Sequence, residues 1–337
     1  MKDTSVESVK ISAMRQDLVR VLGANKGLNA VIKKEVGDHL SGKRFLILAL
    51  LVVVTCLGAL YVAAGTIRSA VGQSEIDFVF LRLFTTSGAS MPFSFLSFIA
   101  FLGPLVGLTL GFDAINGERD RRTLSRVLSQ PIYRDALING KFIAGVIVIV
   151  MVIFGLGFLV AGFGLMMTGV PPTLDELLRL LAYLILSVIY IAFWLALSLL
   201  FSIIFRQTST SALAGIAMWL FLAVFFSLLA GMVADGLYPV QKDSGTEQVL
   251  ANSRAEQAIS RISPTTLYDE AVSTIMNPSV RTLGPVLVEQ AYGAIKGTLS
   301  VGQSLLLIWP HLVGLFAATS ICFALAYISF MRQEIRA

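Results

Sequence analysis

The sequence predicts an all-α integral membrane protein: six transmembrane helices, an amphipathic interface helix before the first, and a helical external segment between the last two. Three observations carry this. Of the 337 residues, 56% are hydrophobic and only 14% charged, and the mean hydropathy is +0.80, more apolar surface than a soluble core of this size buries. Apolar runs of about 20 residues recur, the length that crosses a ~30 Å hydrocarbon layer as a helix. The alternating pattern of barrel strands is missing, so backbone polar groups must be satisfied within helices.

The predicted spans are Phe45 to Thr66, Phe93 to Ile115, Phe142 to Met167, Leu177 to Phe205, Ala212 to Ala234 and Leu305 to Phe330. Each is bounded by charged or Gly/Pro-rich sequence. The chain divides accordingly into a leader (1–44), spans one to five (45–234) with a loop at 116–141, an external segment (235–304), and the sixth span with its tail (305–337). The leader holds two amphipathic stretches separated by a break at Gly23 to Gly27. In the second, Leu28, Val31, Ile32, Val36 and Leu40 share one face while Lys33, Lys34 and Asp38 lie elsewhere, as for a helix in the inner membrane interface. The first apolar run begins only at Phe45, beyond the reach of a signal peptide, and is expected to remain as an anchor.

Orientation follows from charge. Of the 26 Lys and Arg residues, about 18 fall in the leader, the Gly117 to Lys141 loop, the turn at Arg206 and the tail. The positive-inside rule assigns these to the cytoplasm, with both termini there, in a multi-pass protein of the cell membrane. Asp235 to Ser304, with about seven acidic and five basic residues, falls outside. Within it, Thr246 to Arg261 is rich in Ala, Glu and Gln, and a stretch opened by Pro264 closes at Asn277-Pro278; both read as short helices.

Several function classes drop out. The basic residues flank spans and do not form a stripe with interleaved aromatics, so no nucleic-acid partner is expected. The sequence lacks Gly-x-x-x-x-Gly-Lys-Ser/Thr, Gly-x-Ser-x-Gly, His-Glu-x-x-His and a paired intramembrane carboxylate set, so the chain is read as non-catalytic, without cofactor or metal ligands of its own. Cys56 and Cys322 fall within spans and act as small apolar residues. His39 and His311 lack metal-site spacing and read as interfacial residues. Asp113, near the end of the second span, reads as structural, with Asn116 and the nearby arginines as partners. Gly155, Gly157, Gly162 and Gly164 in the third span mark a close-packing face.

The stretch from Gly111 to Lys141 is the most informative. Its apolar residues Leu124, Val127 and Leu128 stand at i, i+3 and i+4, Arg119, Arg122 and Arg126 dominate the remainder, and Pro131 ends the helix. Glu118 and Arg122, at i and i+4, suit a helix ion pair. From these residues alone two readings stay open. The loop is a solvated topology signal, or it docks a cytoplasmic partner whose groove Leu124 and Leu128 fill.

Glu118-Arg-Asp-Arg-Arg-Thr-Leu124, then Leu128-Ser-Gln-Pro-Ile-Tyr-Arg-Asp135 and Asn139-Gly-Lys141, resemble the cytoplasmic loop of ABC-2 type transporter permeases, NosY-like branch. The interface helix, the six-span layout, the tight turn after the fourth span and the closing Phe330 to Arg336 extend the likeness over most of the chain. The resemblance implies a coupling helix that inserts into a separate ABC ATPase subunit, through Glu118, Arg121, Arg122, Thr123, Leu124, Pro131, Arg134 and Asp135, with a second contact at Arg206. It implies ATP and Mg held by that partner, pairing with a second permease subunit, a membrane lipid environment, and export. The external segment is expected to set which cargo or extracytoplasmic partner is handled. A non-transporting scaffold or sensor is the alternative.

Overall fold

The computed structural model describes residues 26–70, 78–87, 93–122, 133–169, 171–240, 245–280, 283 and 298–333. Thr123, Leu124, Leu128 and Pro131 lie outside these, as does the first amphipathic stretch of the leader. The described residues are helical, without strands. In chain order the helices are α1 (26–41), α2 (Lys43–Ala70), α3 (Val79–Thr85), α4 (Phe95–Gly111), α5 (Asn116–Asp120), α6 (Arg134–Thr168) and α7 (Leu174–Ile204). They continue with α8 (Thr208–Leu237), α9 (Thr246–Ser260), α10 (Pro264–Met276) and α11 (Val301–Arg332). Six are long and apolar enough to cross a membrane: α2, α4 continued through α5, α6, α7, α8 and α11. The chain is a multi-pass membrane protein.

Several of these helices run past the apolar stretches that predict them. α7 and α11 start three and four residues early because Thr173 with Glu176, and Ser300 with Gln303, form capping boxes that satisfy the first free backbone N–H groups. α6 starts at Arg134 instead of Phe142, so the end of the predicted loop is its first two turns. The short α3 is a further element that the pattern does not predict.

The fourth span, α7, is the centre of the bundle. In its most apolar stretch 78% of residues are buried, against 11% in α8 and in α11. α4 lies directly against α7, for a reason written in Gly103, Gly107 and Gly111, spaced i, i+4, i+8. A Cβ at Gly107 would lie 2.6 Å from the Ile191 carbonyl oxygen, and one at Gly111 would lie 2.8 Å from Ser198 Cβ. The two backbones touch because no side chain separates them. Pro104 within α4 cannot donate to the carbonyl four residues back, and Tyr190 of α7 supplies the missing donor, its OH reaching the Ala100 carbonyl at 3.1 Å. About two turns on, Ser198 Oγ donates to the Leu108 carbonyl at 2.9 Å.

The predicted close-packing glycines of the third span divide. A Cβ would strike Leu184 at Gly157 and Leu83 at Gly164, whereas at Gly155 and Gly162 nothing lies within 4 Å.

The segment after α8 folds back onto the bundle. α9 runs down α8, with Ala230 and Ala234 buried, and Asn252 Nδ2 donates to Asp235 Oδ1 and the Tyr238 carbonyl, both at 2.9 Å. At the α9–α10 turn, Ser263 Oγ donates to the Leu222 carbonyl at 2.9 Å. Leu222 belongs to a π-helical turn in α8, Phe221–Phe225, 15 residues from the helix end, or about 22 Å along it. α10 then climbs beside α7, with the Tyr268 and Tyr190 rings stacked at 4.1 Å and Tyr268 OH 2.8 Å from Ser187 Oγ. At its far end stands Arg179, fully buried on α7. Arg179 bonds Asp175 at 2.7 Å, the carbonyls of Ile275 and Leu299 at 2.8 and 2.6 Å, and Ser304 Oγ at 3.1 Å. These contacts rivet α7, the hairpin and α11 together, and they satisfy a cation that would otherwise be prohibitively costly to bury.

Candidate coupling site

At the opposite end of the bundle the two ends of the described chain meet the base of the 116–141 loop. Their floor is apolar: Val31 of α1, Ile115, Leu137 and Ile138, Leu199 and Ile203, with Ala326 and Phe330 of α11. Gly140 admits α1, since a Cβ there would lie 2.6 Å from Val31 Cγ1. The predicted amphipathic helix is present, packed on the bundle through this face.

Lys141 lies over that floor. It is 4% exposed, and its Nζ stands 2.8 Å from Glu118 Oε1 and 2.9 Å from Glu35 Oε1. Three helices thus place one cation between two carboxylates, Glu118 and Glu35 each 7% exposed. Lys34 adds contacts of 2.9 Å to Glu35 and 3.2 Å to Asp38. Burial pushes the Glu35 carboxyl up, but the Lys141 charge and hydrogen bonds from Lys34 and Lys141 outweigh it and hold the group below its usual value. Burial lowers His39, on the same helix.

The backbone of the loop base is held as firmly. Where α4 ends, Ile115 N and Asn116 N donate to Ser202 Oγ of α7 at 2.9 and 3.2 Å, and that hydroxyl donates to Asn116 Oδ1 at 3.2 Å. Gln333, just past α11, ties the loop's two ends. Arg119 Nη2 donates to its Oε1 at 2.7 Å, Arg134 Nη1 to its carbonyl at 3.3 Å, and its own Nε2 donates to the Ile203 carbonyl at 2.8 Å.

The predicted site residues separate into two groups. Glu118 faces inward, on Lys141. Arg121, Arg122, Arg134 and Arg206 are exposed, and Asp135 is in the first turn of α6. Arg122 has φ 54°, a left-handed conformation that ends α5 and that few side chains adopt. The expected Glu118–Arg122 helix pair is therefore not formed: α5 stops at Asp120, and the carboxylate turns to Lys141. The partners expected for Asp113 also need correcting. Arg44 of α2 lies 3.5 Å from its Oδ2 and over the Phe112 ring, while Asn116 is committed to Ser202. Thr208, beside Arg206, shares with Glu118, Asp120, Arg121, Arg44 and Lys34 an open cavity of about 740 Å³.

Glu35, Lys141, Ser202 and Gln333 escape a reading by motif. A signal exists for the first two: Glu35 sits on the apolar stripe four residues from Val31, and Lys141 four residues from Leu137, each a charge on a face that otherwise buries. Opposite charges on two such faces call for each other.

The ABC-2 family transporter protein model matches residues 29–335. Two proteins named probable ABC transporter permease protein NosY, from Stutzerimonas stutzeri and Pseudomonas aeruginosa, are each 28% identical to the chain over 202 and 208 residues. Each match covers 59% of this chain and 67% of the relative. With the family model covering all six membrane helices, the chain belongs to the ABC-2 family of transporter proteins.

Proposed function

We propose that the chain is the permease subunit of an ATP-driven exporter, paired with a second permease subunit and docked on a separate ABC ATPase through the 116–141 loop. The basic end is then cytoplasmic, and the hairpin end faces outward. What supports this most is the loop base. Lys141 between Glu118 and Glu35, Ser202 under Ile115 and Asn116, and Gln333 between Arg119 and Arg134 join it to α1, α6, α7 and α11. A push on the loop moves these helices as one body, as rigid-body rocking requires. A loop serving only as a topology signal needs charge but no such anchorage.

In this reading Arg121, Arg122, Arg134 and Arg206 present charge to acidic groups of the ATPase, and Leu124 and Leu128 enter its groove. The ATPase supplies ATP, Mg and hydrolysis; the permease contributes the two states whose affinities for cargo differ. The test replaces Leu124 and Leu128 together by Asp, placing two charges where an apolar groove is expected. Membrane insertion should be normal and ATPase co-purification lost. A double variant that inserts, keeps its ATPase and transports at the wild-type rate would reduce the loop to a topology signal.

A further inference from the structure

We propose that Glu270 of α10 and His311 of α11, steadied by Arg261, form a strap that holds the α9–α10 hairpin against the sixth span and parts when the hairpin end opens. The opening role rests on the transporter reading above; the strap itself does not.

Glu270 is the meeting point of three elements. Its Oε1 accepts from Gln257 Nε2 at 2.7 Å, and its Oε2 accepts from Arg261 Nε at 2.8 Å and lies 2.6 Å from His311 Nε2. Gln257 and Arg261 also donate to the Leu283 carbonyl. Three groups, from α9, the turn after it and α11, therefore gather on one carboxylate of α10. Burial raises the Glu270 carboxyl, but the hydrogen bonds from His311, Gln257 and Arg261 and the Arg261 charge bring it below its usual value, so it serves as an anion.

His311 differs from the other buried polar anchor of this region. Arg179 bonds four groups on α7, the hairpin and α11, and releasing it would orphan all of them. His311 is 4% exposed and is held through Nε2 alone, since its Nδ1 has no hydrogen-bond partner among the described residues. A single charge-assisted bond to a carboxylate, about twice a neutral bond in strength, can break without dismantling a network.

The surroundings suit movement here. Pro310 directly precedes His311 within α11, and its missing N–H weakens the helix at that point. Next along α11, a Cβ at Gly314 would stand 3.2 Å from Leu267 Cδ1, so α10 packs closely on this helix while the strap is shut. The turn of the hairpin meets the π-helical turn of α8 at Leu222, a second irregular segment. Two of the spanning helices that the hairpin meets, α8 and α11, thus carry a helical irregularity near the contact.

The experiment is amide deuterium exchange on the full chain in nanodiscs. His311→Leu and Glu270→Gln should each speed exchange across 264–276 by about tenfold or more, with amides at the middle of α7 unchanged. His311→Gln, which keeps an N–H donor of similar reach, should remain close to wild type. Wild-type exchange in the first two variants overturns the strap, and so does His311→Gln exchanging as fast as His311→Leu, because then any change at this packed position would suffice. With the ATPase bound, a non-hydrolysable ATP analogue should accelerate the same segment in the wild-type chain; unchanged exchange overturns the opening role. Failure to recruit any ATPase would instead remove the transporter reading and leave the strap standing.

Discussion

Replacing Lys141 by Met should release α1 and the loop from one another. Lys141 Nζ is 2.8 and 2.9 Å from its two carboxylate oxygens, so Glu118 and Glu35 lie no more than about 6 Å apart at those oxygens. At an effective dielectric near 20 their repulsion is about 3 kcal/mol, within reach of the ~3–5 kcal/mol measured when one partner of a buried pair is removed. Proton uptake sets a ceiling. Protonating one carboxyl of ordinary pKa at pH 7 costs about 3.5 kcal/mol, so the loss levels off near this figure, and Lys34 at the rim trims it to about 2–3 kcal/mol. That ceiling falls by about 1.4 kcal/mol for each unit of acidification. The variant should therefore unfold well below wild type at pH 7 and close most of the gap at pH 5. Adding Glu118→Gln to Lys141→Met should recover much of the loss at pH 7. Thermal unfolding in detergent reads the stability, and co-purification of the ATPase reads the loop. A Lys141→Met chain with the wild-type midpoint at pH 7 would show that the ion cluster does not hold the two elements together.

In the wild type, Glu35 sits below its usual value of 4.5. Its contribution is thus complete above about that pH and is lost as pH falls through the lower folded value; unfolding midpoints measured from pH 7 to 3.5 should drop only at the acid end, and less so in Glu35→Gln. Gly107→Ala drives a Cβ into the Ile191 carbonyl oxygen at 2.6 Å, so about 1–3 kcal/mol of overpacking is expected. Gly155→Ala, facing open space, should match wild type in the same thermal assay. Single cysteines at Ser5, Glu247 and Ala337 should react with an impermeant reagent in intact cells only at Glu247, which is exposed where Asn252 is 7% exposed; labelling at Ser5 or Ala337 would reverse the orientation.

The hairpin changes what a segment exchange would do. By charge and turn signals, 235–304 reads as a part that could be swapped for a short connector with assembly intact. In the structure its removal strips Arg179 of the Ile275 and Leu299 carbonyls and takes Ser263 from Leu222. A fully buried guanidinium left with Asp175 alone is among the costly defects, so such a chimera should lose bundle stability before any question of cargo arises.

Much was legible beforehand, and for one reason. Hydrocarbon thickness and unsatisfied backbone groups constrain a membrane chain so strongly that apolar run length alone locates six spans. The leader's amphipathic helix and the two helices of 235–304 follow from periodicity and from Pro264. The loop stood out because arginines and an apolar stripe coincide there. What local pattern cannot carry is which faces meet across distant stretches. Glu35 and Lys141 are 106 residues apart, as are few of the pairs that propensity or spacing can relate. Tyr190 answers a carbonyl freed by Pro104 in another helix, and His311 reads as interfacial until α10 brings Glu270 to it. Composition and periodicity thus determined the number of membrane helices, the asymmetry of charge and the place of the basic loop. Only the tertiary structure decided that α7 is the core, that the segment 235–304 packs back onto the bundle, and which buried charges neutralise one another, because burying an ion is tolerable only where the fold delivers its partner.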